Sequence, residues 1–156
     1  KEMARLAQVL CRCDKNNALI VGEPGVGKSA IVKGFVVQLD SYPSKIAQLP
    51  AYELSVTSIL ANAQYQGDIE QRIASTMNGI KQLGGGIIVI DDIHTLAGSK
   101  GDANGARDLT GMLMSYLDDE SLRFIGITTF EDVTRHLDSH NRFLRRFRRV
   151  DIDEPT

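Results

Sequence analysis

The strongest constraint on this chain is the run Gly22-Glu23-Pro24-Gly25-Val26-Gly27-Lys28-Ser29, which directly follows the apolar residues 18–21. It fits the phosphate-loop pattern in full. Its glycines let successive backbone N–H groups converge on a phosphate, Lys28 can neutralise β- and γ-oxygens, and the Ser29 hydroxyl can ligate Mg²⁺. Such a run can also be a plain glycine turn, so its context decides. Residues 18–21 read as a short buried strand. A helix starts near Lys28, with Ser29 and Ala30 in its first turn, and runs through Ile31, Val32, Phe35, Val36 and Leu39. Strand, glycine loop and helix open a βαβ unit.

The rest of the chain continues the same alternation. Residues 2–13 carry Met3, Leu6, Val9 and Leu10 at helical spacing and stop at the turn formers Asp14 to Asn17. Residues 41–50, broken by Pro43 and Pro50, read as a connector, and residues 51–56 as a second strand. A helical pattern over residues 67–83 ends at Gly84-Gly85-Gly86. Ile87-Ile88-Val89-Ile90 is an unbroken β-branched run, as expected for a central parallel strand covered on both faces. A polar loop over residues 98–105, a helix over 106–117, a buried strand over 122–127, a polar helix through Val133 and Leu137 and a last strand over 147–152 complete the chain. The expected fold is therefore α/β: a three-layer phosphate-loop NTPase core with a mostly parallel five-stranded sheet flanked by helices. Ligands in such sheets bind beyond the carboxyl ends of the strands.

At 156 residues with 42% hydrophobic content the chain suits one well-buried domain. A net charge of -2 offers no broad attraction to phosphate backbones, which argues against nucleic acid as a partner. Cys11 and Cys13 lie two apart in a helical stretch and point to different faces, so the expectation is reduced thiols in a cytoplasmic protein without a membrane span.

Asp91 and Asp92 end the β-branched strand expected beside the phosphate loop. Alone, two acids there would more often cap a helix; beside the loop, Asp91 suits the Mg²⁺ shell and Asp92 the orientation or deprotonation of attacking water. Thr128 and Thr129 follow the strand over 122–127, where a hydroxyl can face the γ-phosphate or cap the next helix. Arg145 and Arg146 belong to a run of five arginines over residues 142–149. Such a run is either a solvated or acid-paired surface or the source of an arginine finger acting on a neighbouring subunit. Tyr65 stands in a glycine-bounded loop between Gln64 and Gln66, and packing over an apolar patch is the plain alternative for it. His94 has no evident metal partners and reads as structural.

The phosphate loop, the strand ending at Asp91-Asp92, Ile127-Thr128-Thr129 and Phe143-Leu144-Arg145-Arg146-Phe147 together resemble the first ATPase domain of the Clp (ClpA/ClpB/ClpC) unfoldases and disaggregases, a branch of the AAA+ proteins. The resemblance covers residues 16–35, 64–72, 87–98, 126–147 and 151–155. It implies an ATPase in a homo-oligomeric, hexameric ring with ATP and Mg²⁺ between neighbours. Lys28 and Ser29 would lie on the phosphates, Asp91 on the metal, Thr129 as a sensing hydroxyl, and Arg145 and Arg146 across the interface. Tyr65 falls at an aromatic pore loop gripping an unfolded or tagged protein substrate, and residues 99–104 at a second pore loop. A partner protease or adaptor belongs to the same picture. By the same resemblance, residues 1–156 are the large α/β subdomain, without the helical lid.

Two departures stand out. The family usually has Glu where this chain has Asp92, and a basic residue is common beside the pore tyrosine where this chain has Gln64 and Gln66. The shorter Asp92 leaves open an ATP-binding assembly or regulatory subunit with little turnover. A replication-initiator-like ATPase is the other alternative, since initiators commonly carry Asp-Asp and still hydrolyse ATP; the acidic balance and Tyr65 stand against it.

Overall fold

The computed structural model describes residues 2–11, 16–41, 44–61, 65–97 and 109–152. Cys13, Gln64, the start of the helix expected from residue 106 and the loop at 99–104 lie outside the described residues, as does the side chain of Gln66.

Five strands form one sheet: β1 (Asn17–Gly22), β2 (Ala51–Glu53), β3 (Gly86–Asp91), β4 (Leu122–Thr128) and β5 (Phe147–Ile152). Their order is β2-β3-β4-β1-β5, and every neighbouring pair runs parallel. The expected five-stranded parallel sheet is thus what forms. Side chains alternate across a strand, so each apolar run feeds two cores at once. Ala18 and Ile20 pack with α1 (Glu2–Leu10) and α2 (Lys28–Val37), through Leu6, Leu10, Val32 and Phe35. Leu19 and Val21 face the other layer, shared with Ile88, Ile90 and Phe124. That layer is built by α4 (Val56–Leu60), α5 (Gln66–Gln82) and α6 (Thr110–Leu117), whose Ile59, Ile73, Met77 and Leu113 are buried. Among the described residues, no helix is long and apolar enough to cross a membrane.

Local chemistry explains where expected and observed elements differ. The second strand stops at Glu53 because the Ser55 hydroxyl accepts the Ser58 N–H at 3.3 Å and starts α4 at Val56. The connector over 41–50 contains a single helical turn, α3 (Ser44–Ala47). The polar helix around Val133 is one turn, α7 (Phe130–Asp132), followed by a π turn at Val133–Leu137. A further turn, α8 (Asn141–Leu144), precedes β5. The glycine stop after α5 holds: Gly85 has φ 91°, and a Cβ there would collide with the Ser121 carbonyl.

Asn17, at the first position of β1, is fully buried and joins three segments. Its Nδ2 donates to the Leu117 carbonyl at 2.9 Å and the Arg146 carbonyl at 3.2 Å, while its Oδ1 accepts the Phe124 N–H at 2.9 Å. One side chain thereby ties together the end of α6, the turn before β5 and the middle of the sheet. Asn17→Ala strands these groups in the interior, and urea unfolding of this chain should show a loss of roughly 2–4 kcal/mol, against less than about 0.5 kcal/mol if the contacts carry no weight.

Candidate functional site

At the end of β1 the chain must turn sharply. Gly22 lies so close to its surroundings that a Cβ would sit 3.0 Å from Val26 Cγ2 and 3.1 Å from the Ile152 carbonyl. Gly25 and Gly27 have φ of 86° and 89°, in the left-handed region that glycine occupies without strain. Gly27 is the N-cap of α2 and supplies no side-chain cap, so the first amides of that helix have no side-chain acceptor. Glu23, Pro24, Gly25, Ser29 and Ala30 are exposed around this turn, and Val26 closes it through its N–H to the Glu23 carbonyl at 3.3 Å. The Lys28 ammonium folds over the loop, donating to the Gly22 and Glu23 carbonyls at 2.9 Å each. A fixed positive charge beside unpaired helix amides makes a cradle for an anion such as a phosphate.

β3 lies two places from β1 in the sheet, with β4 between them, and its end brings two carboxylates to the same rim. Ser29 Oγ lies 3.4 Å from Asp91 Oδ2. Asp91 Oδ1 accepts the Asp92 N–H at 2.9 Å. Asp92, exposed, has φ 51°, a left-handed conformation that Asp tolerates better than most residues. Its carbonyl is held by the Thr95 N–H at 2.9 Å and the Thr95 hydroxyl at 2.7 Å. The turn therefore separates the two acids: Asp91 toward the loop serine, Asp92 on a bent backbone beside it. A groove of 480 Å³ runs past Ser29 and Asp91 between α2 and β2, whereas a larger 680 Å³ cleft between α4 and α5 does not touch the loop.

The two threonines at the end of β4 differ from the expected picture. Thr128 is buried and its Oγ1 lies 3.0 Å from His94 Nδ1. The Thr129 hydroxyl donates to Asp132 Oδ2 at 2.8 Å and accepts the Asp132 N–H at 3.1 Å. Of the two roles open to it, Thr129 performs helix capping here. The Thr-x-x-Asp spacing of residues 129–132 is the sequence signal for that role. His94 is structural, as expected, and also stacks on His136 with ring centroids 5.6 Å apart. Its Nε2 lies 3.5 Å from Asp132 Oδ2, so it links the end of β3 to the end of β4.

Arg145 and Arg146 sit at the opposite rim. β5 pairs with β1 in the register Asn17↔Phe147 to Gly22↔Ile152, so both arginines lie level with the start of β1. Five residue steps at about 3.3 Å put the chain's own phosphate loop roughly 17 Å away along the strand. Arg146 is turned into the chain, with Nε 3.0 Å from Asp118 Oδ1 and Nη2 3.2 Å from Asp118 Oδ2. Arg145 is exposed and has no side-chain partner among the described residues. Tyr65, at the N-cap of α5, is 72% exposed, which removes the packing alternative for it. Its N–H donates to Asp68 Oδ2 at 3.4 Å, while Arg72 on the next turn of α5 caps the Ile59 and Ala61 carbonyls. Asn17, Arg72 and Asp118 carried no signal in the sequence, because each acts only through segments brought together by folding.

A glycine loop between a buried parallel strand and a helix, with a carboxylate from a nearby strand against its serine, defines a phosphate-loop nucleotide-binding domain. The match to known proteins narrows this. The family model described as "ATPase family associated with various cellular activities (AAA)" matches residues 18–153. A ClpA homolog protein of Fuscovulum blasticum is 34% identical over 157 residues, covering 99% of this chain and 20% of the relative. Chaperone protein ClpB of Bacteroides thetaiotaomicron is 37% identical over 158 residues, covering 99% of this chain and 18% of the relative. A cryoEM reconstruction of Hsp104 in a closed state with ATPγS and FITC casein superposes with a TM-score of 0.84 at 30% identity, covering 99% of this chain and 26% of that one. The chain belongs to the AAA family of ATPases, as a domain of its Clp branch. It spans about a fifth of the length of these curated relatives.

If Thr129 caps α7, Thr129→Ala should lower the stability of this chain by about 1 kcal/mol in thermal or urea unfolding, and Thr129→Ser should restore most of it. Equal stability of the alanine variant would contradict the capping role.

Proposed function

We propose that this chain is the ATP-binding and ATP-hydrolysing core of a Clp-type ring motor that unfolds or remodels protein substrates by threading them through a central pore. The supporting observation is the 3.4 Å approach of Ser29 Oγ to Asp91 Oδ2 at the mouth of the glycine loop. A hydroxyl and a carboxylate are hard oxygen donors of the kind Mg²⁺ prefers, so the residues present fit that ion. When bound, Mg²⁺ would neutralise charge on the phosphate oxygens.

The remaining roles belong to the chain's own groups. The backbone N–H groups of residues 22–30, other than Pro24 which has none, and the Lys28 ammonium hold the phosphates by charge and hydrogen bonding. Asp92, exposed beside Asp91, orients the attacking water and accepts its proton. Thr129 senses the γ-phosphate only if its hydroxyl leaves the α7 cap. Arg145 and Arg146, too far from the chain's own loop, serve a neighbouring subunit, which makes the site composite and the ring, a homohexamer, a condition for turnover. Tyr65 presents an exposed aromatic ring to the substrate chain, with residues 99–104 as a second contact. An unfolded or tagged polypeptide is the substrate class, with a protease or adaptor as a further partner and the cytoplasm as the compartment. Residues 1–156 are the large α/β subdomain of this motor. The Asp at position 92 favours a second reading, an ATP-binding assembly subunit with slow turnover, because one methylene less displaces the carboxylate from where a Glu would hold it.

In the full-length protein, Lys28→Ala should abolish ATP retention. Asp92→Asn should keep ATP bound while phosphate release falls by roughly 10²-fold or more. Release unchanged in Asp92→Asn would exclude Asp92 as the base, and a wild-type protein that binds ATP with no measurable release would establish the assembly reading. Tyr65→Ala should leave phosphate release intact and stop the unfolding of a tagged fluorescent substrate; unaltered unfolding would remove the pore role.

A further inference from the structure

A threonine hydroxyl carries one proton, and an ionised carboxylate or phosphate oxygen can only accept it. The Thr129 hydroxyl therefore serves one such acceptor at a time. In this structure the acceptor is Asp132: Thr129 Oγ1 donates to Asp132 Oδ2 at 2.8 Å while accepting the Asp132 N–H at 3.1 Å. A charged acceptor at this distance binds about twice as strongly as a neutral one. Because β4 lies between β1 and β3, Thr129, just past its end, stands on the rim between the glycine loop and the tandem acids. The carboxylate that holds it has other partners waiting. His94 Nε2 lies 3.5 Å from Asp132 Oδ2, and His136 Nε2 lies 3.9 Å from Oδ1. His94 is steered from its far side, where Nδ1 is 3.0 Å from Thr128 Oγ1. With the Thr128 hydroxyl donating to Nδ1, the ring proton sits on Nε2 and points at the same carboxylate oxygen that Thr129 uses. Asp132 Oδ2 thus has a second donor in place, at a distance that a small side-chain shift closes. Release of Thr129 then leaves no unpaired charge behind.

We infer that Asp132 is a positioning residue that competes with the γ-phosphate: it keeps the Thr129 proton while no γ-phosphate is present, and His94 takes over its carboxylate when the hydroxyl turns to the nucleotide. This deepens the proposed function and rests on Thr129 as its sensing hydroxyl. The consequence is thermodynamic. ATP must break the bond between Thr129 and Asp132, whereas ADP leaves it intact, so the strength of that bond lowers the affinity for ATP alone. The domain thereby sets its preference for ATP over ADP through a residue that acts only on Thr129. A plain helix cap is indifferent to which nucleotide is bound.

The test compares the affinities of the full-length protein for ATPγS and for ADP, with the thermal unfolding midpoint of each variant as a check on folding. Asp132→Ala should raise the ratio of ATPγS to ADP affinity by roughly tenfold. Asp132→Asn, which keeps the shape and the acceptor but loses the charge, should raise it by roughly threefold. Neither should do so in a Thr129→Val background, where there is no proton to hold. His94→Asn, whose amide mimics Nδ1 and not Nε2, should lower the ratio by roughly threefold, because the released carboxylate loses its second donor. Thr129→Val alone should lower it too. An unchanged ratio in both Asp132 variants would overturn the competition. So would a rise that persists in the Thr129→Val background, which marks mere loss of negative charge beside the phosphates. An unchanged ratio in His94→Asn would overturn the handover. If Thr129→Val alone leaves the ratio unchanged, the sensing role falls and this inference falls with it, so failure of the reading and failure of the switch are told apart.

Discussion

The parallel register of the sheet is the constraint on which everything else depends. Because β1, β3 and β4 run the same way, their carboxyl ends meet at one rim, and whatever follows each strand is delivered there. After β1 comes the glycine loop, after β3 the tandem acids, after β4 the threonines. The contact between Ser29 and Asp91 joins residues 62 positions apart, and only this register brings them together. The buried Ile, Val and Leu of the strands thus supply both the core and the site, since the same pairing that buries them sets the positions of the polar residues at their ends.

The opposite rim follows from the same geometry. β5 lies at the edge of the sheet, parallel to β1, and the arginine turn that leads into it is held at the start of β1 by Asn17. A fully satisfied buried asparagine is a costly device unless three segments have to be located together. Its carbonyl and amide partners are the end of α6, β4 and the arginine turn, so the arginines are presented from a rigid base, away from the chain's own loop. In the proposed motor, a nucleotide site split between the two rims would be completed by a second copy of the chain.

Much of this was legible in the sequence. The phosphate loop, the strand Ile87 to Ile90 and its two acids, and the sheet itself followed from local patterns, because a continuous β-branched run between a glycine stop and a pair of acids has few other uses. What escaped detection was tertiary. Asp118 looks like any turn residue until Arg146 is folded against it, and Asn17 looks like a helix stop until its three partners converge. The strand expected over 51–56 was shortened by a serine cap at Ser55 that outcompetes the propensity of Val56. Thr129 had both meanings available, and Asp132, three residues on, decided for the cap.

The most direct measurement is anomalous scattering from Mn²⁺ in crystals of the full-length protein grown with a slowly hydrolysed ATP analogue. The account predicts a manganese peak about 2.2 Å from Ser29 Oγ, beside Asp91, with phosphate density over the glycine loop of residues 22–29. A peak remote from both side chains, or phosphate density elsewhere, would contradict it.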